Sequence, residues 1–159
     1  PEHIASGSGQ IAWDSVRTCA EDGVTSGKYA FQPGDVIYSK IRPYLDKVGI
    51  AERKGMCSAD MYALHVPNGS LTTRFLHFVL GSVDFLAYAA TVSNRANIPK
   101  MNRKQLFAYK TVVPSMDSQN EFEKKLQSLE AQRSVMLIQA TEIDNLFASL
   151  QHRAFRGEL

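Results

Sequence analysis

Two short stretches of this sequence carry side chains able to grip phosphates and read base edges. The first, Ser39-Lys40-Ile41-Arg42-Pro43-Tyr44-Leu45-Asp46-Lys47, offers Ser39, Lys40, Arg42, Tyr44 and Lys47. Lysine holds a phosphate as a point charge. Arginine can also give guanine two parallel hydrogen bonds in the major groove, and tyrosine can stack or donate to phosphate. The second stretch offers Ser93, Asn94, Arg95, Asn97 and Lys100, where asparagine suits adenine and arginine suits guanine. Either stretch alone reads equally well as solvated surface charge. Two of them in one chain favour a nucleic-acid partner. The charge distribution agrees, although the net charge of +2 is uninformative as a total. Thr91 to Lys110 holds five cations (Arg95, Lys100, Arg103, Lys104, Lys110) and no acid, and Lys40 to Lys54 holds five against Asp46 and Glu52.

Catalytic readings fare worse. Gly7-Ser8-Gly9-Gln10 lacks both the six-residue glycine fingerprint and the P-loop lysine, so it is no nucleotide cradle. Glu123-Lys124-Lys125, with Asp35 far upstream, is the nearest thing to a metal-nuclease signature. It falls on a helical stretch where a solvated charged face is the plainer explanation. His3, His65, His77 and His152 are scattered, and no serine or cysteine stands ready for a dyad. Cys19 and Cys57 have neither metal-ligand spacing nor a disulfide framework and suit a reducing cytoplasm. The expectation is therefore a chain without catalytic residues, metal or other cofactor. No apolar run approaches the ~20 residues of a membrane span, so no membrane partner is expected and the expected location is cytoplasmic.

The elements that must position the basic stretches are legible in part. Phe31-Gln32-Pro33-Gly34-Asp35 is a turn, in which proline pre-sets φ and glycine follows with its permissive backbone. Val36–Ser39 then reads as a buried strand that delivers the first basic stretch, and Pro43 keeps Arg42 out of the helical region. Val48–Ala51 and Met61–Val66 are further strand-like runs, whereas residues 1–30 read as loops and short strands. Phe75, Leu76, Val79, Leu80, Val83 and Leu86 recur at helical spacing, with a break expected at Gly81. Asn102–Phe107 suits a short helical turn and Tyr109–Val113 a last strand. Strands and helices mix without β-α-β alternation, so the fold class is α+β.

From Ser118 onward the pattern changes. Phe122, Leu126, Leu129, Arg133, Met136, Ala140, Ile143, Phe147, Leu150 and Ala154 lie alternately four and three residues apart, a heptad seam broken in character only by Arg133. A helix over 118–155 is a rod of roughly 57 Å at about 1.5 Å per residue. Ser118 with Glu121 forms the pattern of a capping box, and Gly157 closes the far end. The reading is a long C-terminal coiled-coil helix that pairs with a like helix, with Arg133 facing Glu130 or Glu142 of that partner or sitting near a two-fold axis. Leu137, Ile138 and Leu146 widen the apolar face. Domain limits follow: a recognition domain over 1–114, so called for its base-reading side chains, and a long pairing helix over 115–159. Pro1-Glu2-His3-Ile4 has no methionine and no element-opening pattern, so the recognition domain is expected to be N-terminally incomplete.

Pro33-Gly34-Asp35-Val36-Ile37-Tyr38-Ser39-Lys40-Ile41-Arg42-Pro43-Tyr44-Leu45-Asp46-Lys47 resembles a segment of the target recognition domains in specificity subunits of type I restriction-modification systems. The resemblance continues at Asn97-Ile98-Pro99-Lys100-Met101-Asn102, at Val112-Val113-Pro114, and in the ending Ala154-Phe155-Arg156-Gly157-Glu158-Leu159. Of the family's usual lead-in to the spacer helix, Pro114 and Gln119 match. The resemblance implies a non-catalytic reader of double-stranded DNA, as the C-terminal half of a specificity subunit or a half-length one. Its spacer helix would pair with that of a second copy, or of the other half, so that two recognition domains sit a set distance apart on a bipartite site. Methyltransferase subunits would dock on the spacer, with a restriction subunit joining indirectly. From a different class, the same pattern suits a coiled-coil adaptor whose globular part binds protein.

Overall fold

The computed structural model describes residues 1–23, 26–67, 69–93 and 97–158. The chain divides into two compact units, Pro1–Gln119 and Asn120–Leu159. In the first, β1 (Lys28–Phe31) pairs antiparallel with β4 (Gly55–Ser58), and a second sheet has the order β3-β2-β5, with β2 (Val36–Ser39) between β3 (Val48–Ile50) and β5 (Met61–Leu64). The turn before β2 forms as its residues dictate. Asp35 N–H donates to Gln32 O, and Gly34 takes φ +89° behind Pro33, the positive φ that a type II turn needs at this place.

β2 is buried on both faces, which explains its unbroken apolar reading. Strand side chains alternate between the two faces. Val36 and Tyr38 accordingly join Val48, Leu80, Phe85, Ala89, Met101 and Leu106 in one core cluster, whereas Ile37 joins Ile4, Phe31, Ala51, Cys57 and Met61 in another. The first cluster is shared with α1 (Thr73–Gly81) and α2 (Val83–Ser93). Phe85 meets the rings of Tyr38 and Tyr109 edge-on at 5.8 and 5.0 Å. Thr72 caps α1 by accepting from Phe75 N–H, and the break falls at Ser82, one residue after the expected Gly81, with Ser82 Oγ accepting from Phe85 N–H at the start of α2. No single described helix is long and apolar enough to cross a membrane.

α3 (Arg103–Ala108) opens with a complete capping box between Asn102 and Gln105. Beyond it, residues 109–115 are irregular. The strand expected at Tyr109–Val113 is corrected: Tyr109 packs on Phe85 and Tyr88, but Val112 is 83% exposed and no ladder forms. α4 (Met116–Phe155) then runs for 40 residues. Its cap lies three residues earlier than expected, because Ser115 rather than Ser118 receives the first amides: Ser115 Oγ accepts from Ser118 N–H and Ser115 O from Gln119 N–H. Gln119 is fully buried and fully used. Its Oε1 accepts from Thr72 N–H at 2.9 Å, and its Nε2 donates to Ser70 O and Pro114 O at 3.1 and 2.8 Å. The first turn of α4 is thereby bonded into the first unit.

The second unit, taken by itself, is the remainder of α4. Phe122 and Leu126 are part-buried, whereas Leu129, Arg133, Met136, Ala140, Ile143, Phe147 and Leu150 are exposed along the heptad seam. Leu137, Ile138 and Leu146 are exposed as well.

Candidate nucleic-acid interface

The two basic stretches, far apart in sequence, meet side by side. Ile41 and Lys100 form an antiparallel bridge, flanked by Arg42 N–H donating to Pro99 O at 2.8 Å and Met101 N–H donating to Lys40 O at 2.9 Å. The chain leaving β2 is therefore extended by one short pairing with the segment leading into α3. Ser39 N–H donating to Lys47 O closes the other side of the 39–47 loop. Within that loop Pro43–Leu45 is a 3-10 turn bracketed by two left-handed residues, Arg42 (φ 46°) and Asp46 (φ 49°). Pro43 does exclude Arg42 from the right-handed helical region, but into the left-handed one, a conformation that costs a non-glycine residue about 1 kcal/mol or more and persists only where the surroundings enforce it.

Glycines make room for the far end of the loop. Gly7 N–H donates to Asp46 O at 3.0 Å. A Cβ on Gly81 would stand 3.1 Å from Asp46 Oδ1, and one on Gly9 would stand 3.1 Å from the His77 ring. The Gly7-Ser8-Gly9 stretch thus lies over Asp46 and His77. Burial raises the Asp46 carboxyl above its ordinary range, and the nearby His77 opposes that shift.

The sequence-predicted residues separate by burial. Arg42, Tyr44, Asn97 and Lys100 are exposed and Lys47 is half-exposed, its Nζ donating to Pro1 O. Lys100 is partnered, its Nζ standing 2.7 Å from Asp60 Oδ1 in the β4–β5 turn. Three residues expected to meet nucleic acid are instead turned inward. Ser39 is 1% exposed, since it is the last residue of a strand buried on both faces, and its Oγ donates to Ile41 O. Lys40 is 8% exposed, with its Nζ donating to Ala59 O. Ser93 is buried at the end of α2. Asn94 and Arg95 lie outside the described residues.

Several side chains that the sequence reading passed over stand around the bridge. Tyr29 and Tyr62 flank the Lys40 ammonium, and Tyr62 OH donates to Met101 O at 3.4 Å. Burial raises the Tyr62 phenol, while the charges of Arg103 and Lys100 pull it back, which puts both cations in its neighbourhood. Arg103 lies 5.7 Å over the exposed Phe107 ring. Arg103 was visible as part of a cation run. Tyr29, Asp60 and Tyr62 had no local signal, because only the strand register and the Ile41–Lys100 pairing bring them here.

Two further pairs of titratable side chains make local contacts. The Asp35 carboxylate accepts from Gln32 N–H at 2.8 Å and meets His65 Nδ1 at 3.1 Å, both within its own sheet edge. Glu121 and Lys125 form an exposed pair four residues apart on α4. Among the described residues no three His, Cys, Asp or Glu side chains gather as a metal site.

One isolated bridge, at the end of the central strand β2, thus brings the exposed Arg42, Asn97 and Lys100 onto neighbouring segments. No family model matches the sequence. Over its whole length, however, it is 39% identical to the EcoDI type I restriction enzyme specificity subunit of Escherichia coli. The chain is a relative of the type I specificity subunits. It spans about 36% of that subunit's length. A solved chain from work on complex assembly and conformational transition of the type I R-M system has the same fold, with a TM-score of 0.71 over 87% of this chain and 37% of its own, at 21% identity.

Proposed function

We propose that this chain reads a short base sequence in double-stranded DNA through the paired 39–47 and 97–101 segments, as one recognition domain of a type I specificity subunit. The observation that carries this reading is the Ile41–Lys100 bridge, which joins two stretches singled out independently for their chemistry into one surface. Arg42, Tyr44, Asn97 and Lys100 are the exposed members of that surface. Arg42 and Asn97 are the base readers, and Lys47 and Lys100 supply charge towards phosphates. Asn94 and Arg95 keep their place as candidate readers on sequence grounds. The chain itself performs no chemistry. Methylation and cleavage belong to methyltransferase subunits docked on the spacer and to a restriction subunit joining through them.

The second half of the reading concerns α4. Its exposed seam at Leu129, Met136, Ile143, Phe147 and Leu150 suits a second α4, from another copy or from the other half of a longer subunit. Pairing of that kind would set two recognition domains apart on a bipartite site. Retention of duplex DNA across a salt series tests the first half. A log–log slope of roughly −0.9 per phosphate contact is expected. Arg42→Ala is expected to relax preference at one position at a cost of ~1–3 kcal/mol. Equal weakening on all duplexes would make Arg42 a phosphate clamp, and no retention even at low salt would favour the protein-binding adaptor.

A further inference from the structure

The most connected side chain at the paired segments is one that base reading does not use. Lys40 Nζ donates to Ala59 O at 2.6 Å and lies 4.2 Å from the centroid of Tyr62 and 4.9 Å from that of Tyr29. Its main chain is engaged as well: Lys40 N–H donates to Asp60 O, and Lys40 O accepts from Met101 N–H, each at 2.9 Å. On the same turn Lys100 Nζ pairs with Asp60 Oδ1 at 2.7 Å. The turn between β4 and β5 is therefore held by the backbone of Lys40, by its ammonium and by Lys100. A charge taken out of water persists only where partners replace the lost hydration. Here those partners are a carbonyl and two ring faces, an environment that favours a cation and gives a neutral chain of the same length no equivalent.

We propose that Lys40 is a positioning residue, which makes no phosphate contact and ties the Ala59–Asp60 turn to the paired segments so that Arg42, Asn97 and Lys100 keep a fixed spacing. The proposal rests on the DNA-reading assignment above. Base edges tolerate little misplacement of their partners, so loosening this support erodes discrimination between sequences before it erodes charge-driven binding.

The test uses the full chain in two arms. In the first, wild-type protein without DNA is acetylated and followed by mass spectrometry. Lys40 is expected to react at least tenfold more slowly than the exposed Lys104 and Lys110. Equal reactivity overturns the proposal, and this arm decides the matter if Lys40→Met fails to fold. In the second, Lys40→Met is compared with wild type on a duplex selected from a random pool and on a shuffled duplex, across a salt series. Discrimination is expected to fall at least tenfold with the salt slope unchanged, and Lys40→Arg, which keeps a cation able to stack on both rings, is expected to recover much of it. A slope shallower by about 0.9 with discrimination intact identifies a phosphate contact and overturns the proposal. Should wild type retain neither duplex, base reading itself fails, and the acetylation arm tells that failure apart from a misplaced Lys40.

Discussion

The two units of this chain treat apolar residues in opposite ways. In the first, Tyr38, Phe85, Met101 and Val36 are wholly enclosed, and even the polar Gln119 finds three hydrogen bonds. In the second, Leu129, Met136, Ile143 and Phe147 stand more than three-fifths exposed on one helix. Helical stability in proteins comes mostly from burying a face rather than from propensity. One unit therefore carries the means of its own stability, whereas the other displays what a partner would cover.

The contrast can be broken or sharpened by mutation. Phe85→Ala removes the ring at the centre of the first cluster and is expected to destabilise the first unit by ~3–5 kcal/mol in thermal or urea melts. A loss under ~1 kcal/mol would mean that the cluster is not the core. Leu129→Glu and Ile143→Glu each remove roughly 1.5–3 kcal/mol of burial per side chain from a helix pair. Sedimentation is expected to give monomers with the melt of the first unit unchanged. Persistent dimers would move the interface off α4. Gln119→Ala leaves Thr72 N–H and two carbonyls without their partner, so ~1–3 kcal/mol is expected from the melt of the first unit.

The smallest effect depends on pH. Burial raises the folded-state carboxyl of Asp46 above its ordinary value of 3.8, so the folded form holds the proton more tightly than the unfolded one. Stability from this group is present below that ordinary value and is lost as pH climbs through the raised one. Asp46→Asn keeps the left-handed backbone tolerable and is expected to flatten that decline, which melts at a series of pH values would record. An unchanged pH profile would place the carboxyl in water.

Much of this frame was legible in the sequence because it is local. The Pro33-Gly34 turn, the apolar run of β2 and the helical spacing from Phe75 to Leu86 each announce themselves within a dozen residues, and the heptads of α4 within one unbroken stretch. β1 and β4 did not. Lys28-Tyr29-Ala30-Phe31 and Gly55-Met56-Cys57-Ser58 are short and largely uncovered on one side, and Gly55 has no side chain because the Phe31 ring lies where its Cβ would be. Val112 and Val113 misled in the other direction, as β-branched residues that meet no partner strand. The site divides similarly. Residue type marked Arg42, Tyr44 and Asn97, but burial of Ser39 and Lys40 follows from where β2 ends. The pairing of Ile41 with Lys100 is a long-range contact that no local pattern records.

The most direct measurement is selection of bound duplexes from a random pool by the intact chain, alone and with a type I methyltransferase subunit added. The account predicts convergence on a short motif, with one position relaxed when the same selection is run with Arg42→Ala. A recovered pool that remains random for the wild type, under salt low enough to retain DNA, would contradict base reading by this surface.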